Sequence, residues 1–176
     1  MATSIIVPLY IYPLPNAWTP LFYAFVSSGF LFTHCRIERF PWVNFIVILN
    51  PFNGPDGRPI LPDENYRRMI PQICKYRNVS VLGYIHALYG KRDEGELNRD
   101  IDIYQRWHET SIAQGTQGFG EMGVDGIFID EVDFAGTQNV YFKSVCTYIK
   151  SRKWRTGRNG ISLKSSFFSD YEALWY

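Results

Sequence analysis

Apolar and polar positions along the chain follow two alternating rhythms. Short apolar runs, bounded by turn residues, are each followed by a longer stretch whose apolar positions recur three or four apart. The short runs predict strands at about 5–12, 45–49, 79–84 and 127–129, with a fifth beginning near 160–163. The longer stretches predict helices near 18–25, 64–76, 97–112 and 139–151. Asp63 is placed to cap the second helix, whose inner face would carry Tyr66, Ile70 and Ile73, and Pro71 predicts a kink within it. Leu97, Ile101, Tyr104 and His108 share a face of the third helix; Tyr141, Val145 and Tyr148 would point inward from the fourth. Strands separated by helices argue for parallel βαβ units and an α/β fold.

The strand ends carry the chemistry. Gly123-Val124-Asp125-Gly126 opens the fourth strand, Ile127-Phe128-Ile129 continues it, and Asp130-Glu131 closes it, with Asp133 just beyond. A run without alternation reads as a strand buried on both faces. In barrels of alternating strands and helices, residues at the carboxyl ends of strands form the active site. The other strand ends are also polar or aromatic: Tyr10 and Tyr12, Asn50, and Tyr84 with His86 and Tyr89. One face of a parallel sheet would gather them all. Strand-end acids can equally cap the following helix, and it is this company that favours a site.

Composition narrows the partners. The 176 residues can form one domain with a sizeable core, and 46% hydrophobic content excludes a disordered chain. A formal net charge of +1 gives no reason to expect nucleic acid or an anionic membrane. Basic residues do cluster at Ser151-Arg152-Lys153-Trp154-Arg155, which reads as a solvated helix end. Aromatic content of 17% fits either an aromatic-rich core or flat platforms for sugar rings. Cys35, Cys74 and Cys146 are scattered, as are His34, His86 and His108, so neither a disulfide framework nor a zinc site is expected, and no metal or other cofactor. The chain runs straight into its first strand without a signal peptide pattern, so as written it would stay in the cytoplasm.

Five motifs carry a resemblance. Ile-Val-Pro-Leu-Tyr-Ile-Tyr-Pro at 6–13, Val-Ile-Leu-Asn-Pro at 47–51 with Gly54-Pro55, and Leu-Gly-Tyr at 82–84 with Tyr89-Gly90 come first. Ile103-Tyr104 with Trp107, then Gly-Ile-Phe-Ile-Asp-Glu at 126–131, complete the set. In this order, over roughly 5–150, they resemble the spherulin-4 family, which is similar to fungal glycoside hydrolases. The resemblance implies a (β/α)8 barrel of TIM type that cuts α-1,4-linked N-acetylgalactosamine in galactosaminogalactan. Secretion or a place at the cell surface would also suit the family. It further implies that Asp130 and Glu131 match the family's acidic pair and that aromatic strand ends line a sugar groove.

Glycosidic cleavage needs one carboxylic acid to protonate the leaving oxygen and one carboxylate to attack or stabilise the anomeric carbon. Glu131 is assigned as the general acid and Asp130 as nucleophile or ion stabiliser. Consecutive strand residues point to opposite faces, so both serve one bond only if the chain turns after Ile129. Asn50 fits a sugar contact or an Asn-Pro turn; Tyr10, Tyr84 and Tyr89 fit sugar stacking or packing; His86 fits a substrate contact or a structural hydrogen bond. Two departures from the family follow. Residues 26–41 read as an atypical insertion in a connection that the family keeps short. A barrel of this type takes about 250 residues, so a single barrel-like domain of four to five βα units is expected over 1–176, its C-terminal half missing. The alternative is a relative that binds carbohydrate without cutting it, or a structural protein.

Overall fold

The computed structural model describes residues 4–22, 42–55, 61–114, 120–133, 135–157 and 159–165. The proposed insertion at 26–41 lies outside them. Five strands, β1 (Ser4–Leu9), β2 (Asn44–Leu49), β3 (Val79–His86), β4 (Gly126–Asp130) and β5 (Ile161–Lys164), form one parallel sheet in chain order. The register runs through Leu9, Leu49, Gly83, Ile127 and Ser162, one residue per strand. The sheet is not closed: among the described residues β1 and β5 are its two edges. The fold is therefore α/β with an open five-stranded sheet.

Helices α1 (Thr19–Phe22), α2 (Glu64–Cys74), α3 (Glu94–Ala113) and α4 (Asn139–Ser151) lie in the connections. Asp63 caps α2, its Oδ1 accepting from the N–H groups of Asn65 at 2.8 Å and Tyr66 at 3.3 Å. Helix α2 continues through Pro71 to Cys74 with Tyr66, Ile70 and Ile73 buried. Helix α3 begins earlier than its apolar period suggests. Asp93 accepts from the Glu96 N–H at 3.0 Å, and Glu94 and Glu96 sit favourably in the first turn. On its inner stripe Trp107, not His108, follows Leu97, Ile101 and Tyr104. In α4 the buried stripe is Phe142, Val145 and Ile149, one residue beyond the predicted tyrosines. Tyr141 and Tyr148 lie half-buried with their hydroxyls on Arg92 O and Asp102, which suits rings with one apolar body and one polar tip.

Strand ends also shift. β1 stops at Leu9 because its neighbour β2 stops at Leu49, so Tyr10 to Tyr12 have no strand to pair with. β3 runs two residues longer than expected because Ile85 and His86 pair with Ile129 and Asp130 of β4.

The two faces of the sheet differ. One, carrying Val47, Leu49, Val81, Ile85, Ile127 and Ile129, packs against the helices and forms the main core. Each such side chain contributes about 1.5–3 kcal/mol by leaving water. The other face holds Ile48, Leu82, Tyr84 and Phe128, with Ile6, Ile46 and Leu163 against them, all strand residues. Gly126 is required where β4 meets β5, since a Cβ there would lie 2.0 Å from the Ile161 carbonyl oxygen.

The entry to β4 is fixed by charge. Asp125, buried, accepts from Arg155 at 2.7 Å and from the Val81 N–H at 2.8 Å; Arg155 also donates to the Cys74 carbonyl at 3.2 Å. Arg152 pairs with Asp102 at 3.0 Å. The basic cluster thus does not form a solvated helix end: α4 stops at Ser151, and Arg152 and Arg155 fold back onto acids.

Candidate active site at the carboxyl ends of the strands

Period-two alternation places Tyr10, Asn50, Tyr84, His86 and Asp130 on the face of the sheet that the helices leave, at or just past the strand ends. By register Tyr10, Asn50 and Tyr84 share one layer, and His86 and Asp130 the next.

Asp130 is held at both oxygens. The Tyr84 hydroxyl donates to Oδ2 at 2.9 Å and the Glu131 N–H donates to Oδ1 at 2.8 Å. Glu131 leaves the extended conformation with φ +53°, a left-handed value uncommon outside glycine. The chain does turn directly after Asp130. Two N–H groups from the preceding loop hold that turn: Ala87 donates to Asp130 O at 3.0 Å and Tyr89 to Glu131 O at 2.7 Å. That loop is itself left-handed at Leu88, Tyr89 and Gly90. Backbone of this kind costs about 1–3 kcal/mol per residue and collects at functional sites.

Some of the buried unsatisfied side-chain atoms lie here, while others, Asp125 Oδ1 among them, lie elsewhere in the fold. Glu131 Oε2 and Asn50 Oδ1 are buried without a hydrogen-bond partner, and so is Ser165 Oγ, just past the end of β5. Among the described residues no cation pairs with Asp130 or Glu131. Asp133, in contrast, is engaged locally. It accepts from Thr137 and from the N–H groups of Ala135 and Gln138, chiefly the Thr137 bond holding its carboxyl below the usual range. It organises the turn into α4.

Tyr84 is 5% exposed, its ring edge-on to Tyr10 at 5.5 Å and tilted against Phe128 at 6.1 Å. Partial burial, then the charge of Asp130, pushes the Tyr10 phenol up, although 41% of the residue stays exposed. Tyr10 and Tyr89 are exposed, as is Phe52 at 78%, a ring on the β2 loop that the strand-end reading passed over. His86 Nδ1 lies 3.0 Å from the Asn53 carbonyl, which only accepts, so Nδ1 carries the proton. Arg92 is a second residue without a sequence signal. It donates to the His86 carbonyl at 3.2 Å and to Asp100 at 2.6 Å, fixing the loop that holds Glu131. Among the described residues no group of His, Cys, Asp or Glu gathers as metal ligands would, and no helix is long and apolar enough to cross a membrane.

The chain is similar to known proteins. Spherulin-4 of Physarum polycephalum is 30% identical over 149 residues, 85% of this chain and 36% of the relative. The crystal structure of Aspergillus clavatus Sph3 in complex with GalNAc is similar with a TM-score of 0.67 at 35% identity, over 86% of this chain and 53% of that one. A GH6 enzyme of Orpinomyces sp. Y102 gives a TM-score of 0.48 at 13% identity, over 93% and 52% of the two chains. The chain thus spans about a third of the curated relative's length and about half of Sph3's. Residues 4–169 match the family described as Spherulation-specific family 4. The chain belongs to that spherulin-4 family.

Proposed function

We propose that this chain supplies the catalytic acids of a glycoside hydrolase acting on α-1,4-linked N-acetylgalactosamine or galactosamine polysaccharide. The observation that carries the reading is the turn at Glu131. It takes Glu131 out of the strand next to a fixed Asp130 and leaves Oε2 buried without a partner. A carboxylate accepting two hydrogen bonds and a neighbour free to donate fit the two roles of glycosidic cleavage. Glu131 protonates the leaving oxygen; Asp130 attacks or stabilises the anomeric carbon. Similarity to a structure that contains GalNAc supports an amino-sugar ligand.

In this reading Asn50 and His86 Nε2 contact sugar polar groups, and the exposed rings of Tyr10 and Tyr89 offer stacking surfaces. The open sheet is part of a (β/α)8 barrel, residues 1–176 fold as one domain, and 26–41 is an insertion.

A second reading, binding without cleavage, draws on the exposed Tyr10, Phe52 and Tyr89, since stacking on a sugar needs no acid. One assay separates the two. The purified chain, Asp130→Asn and Glu131→Gln are incubated with α-1,4-linked N-acetylgalactosamine oligosaccharides and the products weighed by mass spectrometry. Shortened products from the parent, with turnover lower by about 10²–10⁴ in each variant, are expected. Near-normal turnover in either variant removes that residue from its role. Oligosaccharide that is bound yet uncut by the parent favours the second reading.

A further inference from the structure

Tyr84 was expected at a sugar groove because it stands at a strand end. Its surroundings point elsewhere. Within the protein the ring touches both Tyr10 and Phe128, and little of it faces outward. Its hydroxyl reaches Asp130 Oδ2 at 2.9 Å, opposite the Glu131 N–H on Oδ1 at 2.8 Å. Two donors on two oxygens fix the plane of a carboxylate that would otherwise rotate about its last torsion, which is broad.

We propose that Tyr84 is a positioning residue that sets the orientation of the Asp130 carboxylate, and that its ring is no sugar platform. The proposal rests on Asp130 and Glu131 being the reacting acids. Its own support is a chain of contacts running inward from the helix layer. The Tyr104 hydroxyl donates to the Tyr84 carbonyl at 3.0 Å, and Tyr104 is wholly buried on α3. The preceding Gly83 lets that ring lie against the strand: a Cβ there would come within 2.7 Å of Tyr104 ring carbons. Tyr104 thus fixes the main chain of Tyr84, and Tyr84 fixes Asp130. Burial, and then the bond to Asp130, pushes the Tyr84 phenol up, so it stays a donor at any pH where a carboxylate pair works.

The test is Tyr84→Phe in the 176-residue chain, which keeps the ring and removes only the hydroxyl. Tyr148→Phe is the matched control, since that hydroxyl also donates to a carboxylate, Asp102, but within the helix layer. Tyr84→Phe is expected to lower kcat about 10- to 100-fold, the worth of one hydrogen bond to a charged group, with KM within about threefold. Tyr148→Phe is expected to lower thermal stability and leave kcat unchanged. A crystal structure of Tyr84→Phe should show the Asp130 carboxylate rotated or in more than one conformer, whether or not the chain turns over. An unmoved Asp130 carboxylate, or kcat equal to that of the parent while Glu131→Gln is inert, overturns the positioning role. Full turnover in Glu131→Gln instead overturns the acid assignment on which it rests.

Discussion

Strand β4 carries acids at both ends, and they are treated in opposite ways. At its entry Asp125 is buried against the Arg155 guanidinium and the Val81 N–H, tying β3, β4 and the segment after α4 together. At its exit Asp130 and Glu131 have no cation beside them among the described residues; Asp125 Oδ1 and Glu131 Oε2 are each buried without a hydrogen-bond partner, so the cation is what separates the two ends. Burying a charge is costly unless it is paired. The entry acid is neutralised, as stability requires; the exit acids are oriented but have no cation, which is the arrangement the proposed ligand site needs. The same division separates stability from function along barrel strands in general.

The comparison is broken most severely by exchanging the expected losses. Glu131→Gln should lower turnover by about 10²–10⁴ with an unchanged melting temperature. Asp125→Ala should do the reverse. Urea unfolding should show a loss of about 2–3 kcal/mol, toward the low end for a broken buried pair because the Arg155 side chain is 16% exposed. Activity per folded molecule should stay the same. If Asp125→Ala abolished activity in a folded chain, the two ends would not be separable.

Gly126→Ala sharpens the entry end further. The new methyl meets the Ile161 carbonyl, so β5 must move or detach, at a cost of about 1–3 kcal/mol or more in denaturant midpoint. Asp63→Ala should cost about 1 kcal/mol by uncapping α2, measured by the same unfolding curves.

Much of this frame was legible in the sequence. The rhythm of strands and helices is local, and the helix over Asn139–Ser151 and the cap at Asp63 lie where the periodicity puts them. Strand ends were less legible because they depend on the partner: β1 ends where β2 ends, and β3 extends where β4 continues. Helix phase failed where tyrosine was counted as apolar, since Tyr141 and Tyr148 place their hydroxyls on polar partners while Phe142 and Ile149 enter the core. The acids at the end of β4 could be found because glycine, apolar run and carboxylates are contiguous. Their supports could not. Tyr84 and Asp130 are 46 residues apart, Asp125 and Arg155 are 30 apart, and no spacing rule links such pairs. Arg155 in particular stood in a basic run that reads as solvated surface.

A further expected effect concerns pH. Burial pushes the Cys74 thiol, beside Arg155, from 9.0 up to about 11. A raised value means the folded chain holds its proton longer than the unfolded chain. The stability this contributes is complete below about pH 9 and is lost as pH rises toward 11. Cys74→Ala should remove that part of the alkaline decline, read as melting temperature against pH across the window. The exit end of β4 should be indifferent to it.

The central claim is that ligand meets the exit of β4 and not its entry. It is tested most directly by nuclear magnetic resonance on the uniformly labelled Glu131→Gln chain, titrated with α-1,4-linked N-acetylgalactosamine oligosaccharide. The account predicts shifts confined to the exit, at Tyr10, Asn50, His86, Tyr89 and Asp130, with Asp125 and Arg155 unmoved. Shifts centred on Asp125 and Arg155, or none at any strand end, would contradict it.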